Sequence, residues 1–180
     1  MTVGPFVLRV VLGLVFIGHG TQKLFGWWGG GGLPGTEAMV DRLGLRPARP
    51  FAILGGLTET IGGTLLVLGF LTPLGAAAVI GMMTAAAAAV HLPNGFWNTN
   101  GGAEFPFVNI AAATALAFIG PGRASIDGAL GWHLRGASWG VFAMVLGFGV
   151  GMVVLGWRTV QLQATTPGPE DTQKQPPRAA

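Results

Sequence analysis

The stretch "VLGLVFIGHGTQKLFGWWGG" (Val11 to Gly30) begins as a run of apolar residues and ends in polar and aromatic ones. A helix needs about 20 apolar residues, each rising 1.5 Å, to cross the hydrocarbon core of a bilayer. His19 and Lys23 stand four residues apart near the end of this run, so they share one helical face. Two ionisable groups on one face of an apolar helix predict polar partners elsewhere in the membrane-embedded chain.

The composition of the whole chain also favours a membrane location. Of its 180 residues, 51% are hydrophobic and only 9% are charged, whereas soluble domains carry roughly a quarter charged residues. The net charge of +3 comes from ten Lys and Arg against seven Asp and Glu, without a basic block. That pattern fits loops between membrane spans and argues against a nucleic-acid partner. We therefore predict an all-α, polytopic helical bundle in contact with the lipid bilayer.

Five apolar runs predict five spans, and the first is interpreted as a retained span rather than a cleaved signal peptide. The predicted spans are Pro5–Phe25, Pro50–Phe70, Leu74–His91, Phe105–Ile119 and Ser138–Trp157. Gly147 and Gly151 in the last span have the G-x-x-x-G spacing of helix packing or dimerisation, so a homo-oligomer is an alternative. Between the first two spans, Thr36 is expected to N-cap a short helix on the membrane surface.

The basic residues divide between the two ends of this five-span arrangement. One end is expected to hold Lys23, Arg42, Arg46, Arg49 and Arg158, and the other Arg9, Arg123 and Arg135. The positive-inside rule then favours a cytoplasmic location for the first end, which carries the loop after the first span.

Glu59, in "LGGLTETIGG" (Leu54 to Gly63), is the first expected partner of the His19 and Lys23 face. Because a charge near the bilayer centre is costly, this carboxylate should face the bundle interior and pair with Lys23 or His19. Gly55 and Gly63 flank it at i−4 and i+4, so a helix or a flat ligand could approach closely. A purely structural ion pair that fixes helix register is the alternative.

A similar pattern follows in "VHLPNGFWNTNGGAEFPFVN" (Val90 to Asn109), where His91 ends one span and Glu104 begins the next. The alternation of spans places these two residues at the same membrane face as the first cluster. Trp27, Trp28 and Trp97 lie at the same face, where they could stack on a ligand ring or anchor the loops at the interface.

Other sites are less favoured by the residue spacing. His19, His91, Glu59 and Glu104 could ligate a metal, or the two histidines a haem, but no H-E-x-x-H or E-x-x-H spacing is present. The chain has no cysteine, so it offers neither a thiolate ligand nor a disulfide. Asp127 is expected to cap or turn the chain, or to pair with Arg123.

Four separated motifs resemble, in order, the signature stretches of the DoxX family of bacterial inner-membrane proteins. They are "LRVVLGLVFIGHGTQKLFG", "GLTETIGGTLLVLGFLTPLGA", "HLPNGFWNTNGGAEFPFVN" and "GPGRASIDGAL". The resemblance implies a four-helix membrane domain over residues 1–130 and leaves an additional transmembrane helix over 131–158. Residues 159–180 are expected to form a disordered polar tail.

The family is named after a subunit of a thiosulfate:quinone oxidoreductase, so the resemblance implies a multi-pass inner-membrane subunit of a quinone-linked oxidoreductase. His19, Lys23, Glu59, His91 and Glu104 are the functional residues it implies. The cofactor stays open, with quinone as the candidate, and a soluble or membrane redox protein is the candidate partner. The rival hypothesis is a non-catalytic scaffold, or a bundle that binds a small solute or lipid, in which the same charges are structural pairs. A transporter has thinner support, because repeated broken helices are missing from the sequence.

Overall fold

The computed structural model describes residues 3–165, which form helices and connecting turns without any strand. This confirms the predicted polytopic helical bundle. The helices are α1 (Val3–Phe25), α2 (Gly32–Arg42), α3 (Ala48–Leu68), α4 (Thr72–Ala86), α5 (Glu104–Ile119), α6 (Ile126–Ala129) and α7 (Ala137–Thr165). A π-helical turn over Ala87–His91 extends α4.

Four of the five predicted spans are long and apolar enough to cross a membrane. They are Val3–Phe25, Ala48–Leu68, Thr72–Asn94 and Ala137–Ala164. The remaining predicted span, Phe105–Ile119, corresponds to α5. This helix has 16 residues and is therefore about 24 Å long. It still runs from one end of the bundle to the other. It starts after the loop that follows α4, and it ends beside Pro121. The Pro121 carbonyl accepts a hydrogen bond from Arg9, near the start of α1.

The two ends of the bundle differ in content, and each is named after its α1 residue. The Lys23 end contains Lys23, α2 and the last turns of α7, because Arg158 Nε donates to the Leu43 carbonyl at 2.7 Å. The Arg9 end contains Arg9, α6 and the start of α7. The predicted grouping of Lys23 with the basic residues of the first loop and Arg158 is therefore observed.

Close contact of α1 with α3 depends on glycine. A Cβ added at Gly63 would lie 2.5 Å from the Gly13 carbonyl oxygen, and one at Gly20 would lie 2.7 Å from the Gly56 carbonyl oxygen. Only residues without side chains permit this approach of two backbones. Of the two glycines that flank Glu59, Gly63 is therefore in contact with another helix, α1.

The additional helix α7 is packed into the bundle against α4. A Cβ at Gly147 would lie 2.8 Å from the Ala77 carbonyl oxygen, and one at Gly151 would lie 3.0 Å from that of Gly81. The G-x-x-x-G pair therefore packs helices within this chain. Phe16, Leu66, Ile80 and Leu116, from α1, α3, α4 and α5, form the centre of the apolar core.

Two boundaries differ from the sequence-based expectation. The first-loop helix starts at Gly32 rather than at a Thr36 cap, and Thr36 is buried inside it, with Oγ1 2.9 Å from the Gly32 carbonyl oxygen and 3.1 Å from that of Lys23. Helix α7 continues to Thr165, past the predicted end at Trp157. The rest of the predicted tail, residues 166–180, lies outside the described residues.

Candidate ligand-binding site

Lys23 and Glu59 form an ion pair between α1 and α3. Lys23 Nζ lies 2.5 Å from Glu59 Oε1, and the two side chains are 26% and 2% exposed. Lys23 stands in the last turn of α1, and Glu59 stands midway along the antiparallel α3. The glycine contacts set the register in which these residues meet. The predicted partner of Glu59 is therefore found in Lys23.

The second oxygen of the Glu59 carboxylate is unusual. Oε2 is buried and has no hydrogen-bond partner among the described residues. A buried carboxylate oxygen without a donor carries a desolvation cost of about 1–3 kcal/mol, and more if charged, unless a proton or a ligand satisfies it. Most buried polar groups in native proteins are satisfied, so this oxygen is an exception among the described residues.

A cavity of about 170 Å³ lies beside this ion pair, between α2, α3, α4 and α7. Its wall is mainly apolar, with Met39, Phe51, Met82 and Val154 among the lining residues. Its polar and charged lining residues are Lys23, Thr36, Thr58 and Arg158. Gly55, one turn before Glu59, lines it as well, so the glycine predicted to leave room for a ligand faces this cavity.

His19 does not line this cavity. Its ring meets that of Phe105 at the start of α5, with centroids 6.0 Å apart. Together with Trp27 and Trp28 it lines an outward groove of about 420 Å³. Trp28 is 77% exposed. Three of the predicted site residues thus share a groove that is separate from the cavity beside Lys23.

His91 and Glu104 make their polar contacts within the loop that joins α4 to α5. His91 Nδ1 donates to the Gly101 carbonyl at 2.8 Å, since a carbonyl can only accept. Glu104 Oε2 accepts from the Asn98 amide at 3.0 Å. Trp97, in the same loop, is exposed and touches the Phe96 ring. The five predicted residues share one end of the bundle, but their contacts divide them into an ion pair, a groove residue and two loop residues.

Sequence reasoning missed a second buried charge centre at the Arg9 end. Arg9 is 2% exposed, although it carries a full charge. Its guanidinium donates to four backbone carbonyls, those of Leu66, Val67, Pro121 and Ala124. Arg9 lies inside the first apolar run, so the rule that drew attention to Glu59 could also have found it.

The acid of this second centre is Asp127, which is fully buried. Its carboxylate accepts from the Leu71 amide at 2.8 Å, the Thr72 amide at 3.1 Å and Thr72 Oγ1 at 2.8 Å. It therefore caps the first turn of α4 from a distant loop, rather than pairing with Arg123. No spacing in the sequence connects Asp127 with that helix, because 55 positions separate it from Thr72.

Arg9, Glu59 and Asp127 are the buried charged residues of the part of the chain that the structure describes, in a helical bundle with apolar outer faces. Within residues 3–165, no three His, Asp or Glu side chains come together as metal ligands. The fold and these charges define the class: a multi-pass helical membrane protein.

Comparison with known proteins gives the family. The DoxX family model matches residues 4–92, a range that spans α1 to α4 and includes both members of the Lys23–Glu59 pair. The chain is also 32% identical, over 132 residues, to the Uncharacterized membrane protein Rv3486 of Mycobacterium tuberculosis, covering 67% of this chain and 77% of that protein. No solved structure matches the chain. The chain belongs to the DoxX family.

Proposed function

We propose that this chain is the membrane subunit of a quinone-linked oxidoreductase, and that the quinone ring binds at the cavity beside Lys23. One observation carries the proposal. Glu59 Oε2 is buried without a hydrogen-bond partner, directly behind a lysine that lines an apolar cavity. The other buried carboxylate described, that of Asp127, has both oxygens occupied.

The size and lining of the cavity fit a single ring. At about 170 Å³ it is smaller than the ~300–1,000 Å³ of pockets that enclose a whole drug-sized ligand. A ring with an isoprenoid tail needs only its ring enclosed, since the tail can remain in lipid. Mainly apolar walls with few polar groups are the usual lining of a small-molecule site.

The side chains of this chain would act as follows. Lys23 Nζ, which is partly exposed, donates a hydrogen bond to a carbonyl oxygen of the ring. Glu59 Oε1 accepts a hydrogen bond from Lys23 Nζ and holds that donor at the cavity wall. Arg158 is fixed by its bond to the Leu43 carbonyl and adds positive charge at the cavity wall.

A quinone supplies the capacity to carry two electrons and two protons within the membrane. The chain has no cysteine, and we propose that a redox-active partner protein delivers the electrons. His91 and Glu104 are the proposed route for protons to the surface, because both lie in the loop at the Lys23 end. His19, Trp27 and Trp28, in the outer groove, remain predicted contacts for the quinone.

A second candidate function is a scaffold or lipid-binding bundle without catalysis. It is favoured by the close glycine packing of α1 on α3, in which Lys23 and Glu59 would act only to hold the helix register. In that case the cavity holds lipid chains, and filling it would change neither cofactor content nor redox activity.

The experiment that separates these functions measures quinone in protein purified in native lipid nanodiscs. Ala85→Leu places a larger side chain on the cavity wall, and Ala115→Leu is its matched control, because Ala115 is exposed on α5. We expect wild type and Ala115→Leu to contain one quinone per chain, and Ala85→Leu to have lost most of it. Equal quinone content in all three proteins, or none in wild type, would support the scaffold.

A further inference from the structure

A further cavity lies at the Arg9 end of the bundle, away from the proposed quinone site. It has a volume of about 540 Å³ and lies where α5 ends and α7 begins. Arg123, His133 and Arg135 contribute to its wall, and no Asp or Glu is among the lining residues. It is therefore a positively charged cavity at one face of the bundle.

The basic side chains of this cavity have no partner within the described residues. The two ion pairs of the described residues are Lys23–Glu59 and Arg46–Asp41, and neither involves Arg123, His133 or Arg135. All three side chains are exposed and make no hydrogen bond within residues 3–165. By contrast, Arg9 nearby uses its guanidinium on four carbonyls.

The backbone that carries these side chains is held in place. The Trp132 amide donates to the Asp127 carbonyl at 2.8 Å, and the Gly136 amide donates to the Phe118 carbonyl at 2.8 Å. The Trp132 ring stacks on Phe70 with centroids 5.9 Å apart. The loop therefore presents its two guanidinium groups from a fixed frame, and guanidinium groups match the geometry of phosphate oxygens.

An apolar groove continues from the charged cavity. It has a volume of about 410 Å³, is lined by Leu71, Pro73, Leu74 and Phe142 together with other apolar residues, and shares Trp132 and Leu134 with the cavity. The cavity thus carries the Arg123 and Arg135 guanidinium groups, and the adjoining groove carries only apolar side chains. A soluble anion would contact the cavity alone, whereas a phospholipid would contact both the cavity and the groove.

We propose that this end of the protein binds an anionic phospholipid of the surrounding leaflet. The headgroup phosphate pairs with Arg123 and Arg135, and an acyl chain lies in the groove beyond Trp132. Trp132 and Trp139 stand where interfacial aromatic side chains meet lipid headgroups. The binding requires only the membrane location of the chain and is independent of the quinone site.

The test is a lipid titration of the delipidated full-length protein in detergent, read by native mass spectrometry. Phosphatidylglycerol and phosphatidylcholine with the same chains are compared on wild type and on Arg123→Gln/Arg135→Gln. The control is Arg42→Gln/Arg49→Gln, which removes two exposed arginines from the Lys23 end. Each arginine near an anionic headgroup contributes about fivefold in affinity.

We expect the Arg123→Gln/Arg135→Gln protein to bind phosphatidylglycerol about 25-fold more weakly than wild type. The Arg42→Gln/Arg49→Gln protein should match wild type, and phosphatidylcholine should bind all three proteins equally weakly. The proposal is overturned if both double variants lose phosphatidylglycerol equally, or if wild type does not distinguish the two lipids. It is also overturned if soluble glycerol phosphate binds as tightly as the lipid, because the groove would then contribute nothing.

Discussion

The Arg9 end and the Lys23 end each combine a base from α1 with a buried acid from another element, but the hydrogen bonds of these groups differ. Asp127 accepts three hydrogen bonds, and Arg9 donates to four carbonyls. Glu59 has one partner and one bare oxygen. A fully satisfied network rigidifies a fold, whereas a buried carboxylate oxygen without a donor carries a desolvation cost. The first end is a structural clamp, and the second is the end for which we propose a ligand.

The largest expected effect is at the clamp. Asp127→Ala leaves two backbone amides and the Thr72 hydroxyl without their acceptor, and we expect a loss of about 3–5 kcal/mol in the free energy of unfolding. Denaturation in mixed micelles measures it. Arg123→Ala, four residues away and exposed, is the control and should change stability by less than about 0.5 kcal/mol. Similar losses for the two variants would contradict the clamp.

The ion pair at the Lys23 end should cost less to break, since Lys23 is partly exposed. Lys23→Met leaves the buried Glu59 carboxylate without its positively charged partner. This should lower the free energy of unfolding by about 1–3 kcal/mol. The double variant Lys23→Met/Glu59→Gln should be more stable than Lys23→Met alone, because it removes the abandoned charge. A double variant that is less stable than either single would show that the two residues stabilise the fold independently.

The register of α1 against α3 gives a third, smaller effect. Gly63→Ala places a Cβ 2.5 Å from the Gly13 carbonyl oxygen, and we expect a net loss of about 1–2 kcal/mol after the gain in helix propensity. Gly18→Ala is the matched control, because a Cβ there meets no atom within 4 Å. In thermal unfolding, the midpoint temperature of the Gly18→Ala control should be equal to or higher than that of wild type. Equal behaviour of the two variants would mean that α1 and α3 do not depend on this contact.

The smallest effect is expected in the loop between α4 and α5. His91→Gln and Glu104→Gln each alter one contact with exposed backbone, so each should change stability by less than about 0.5 kcal/mol. Their proposed role in proton transfer would appear instead as slower quinone turnover in the reconstituted complex. A stability loss as large as that of Lys23→Met would place these residues inside the packed bundle.

The helices and the Lys23–Glu59 pair could be predicted because both follow from local rules. Apolar length predicts spans, and a charge in such a span requires a partner on a neighbouring helix. A capping role for Asp127 could be predicted, but not which helix it caps, because it stands in the polar, glycine-containing stretch "GPGRASIDGAL", which resembles an ordinary turn. Its role depends on the fold bringing that loop to the start of α4. The walls of the cavity likewise include residues of α2 and α7. The contacts of Gly147 and Gly151 place α7 against α4, and the spacing of these glycines does not say which helix they contact.

The central claim is that the unpartnered Glu59 oxygen serves a ligand rather than the fold. An equilibrium titration of a short-chain quinone into wild-type and Glu59→Gln protein, both shown to be folded at the temperature used, tests it directly. We predict that Glu59→Gln binds at least about tenfold more weakly, which corresponds to about 1.4 kcal/mol. Equal affinity of the two proteins, or the lack of saturable binding to wild type, would contradict the claim.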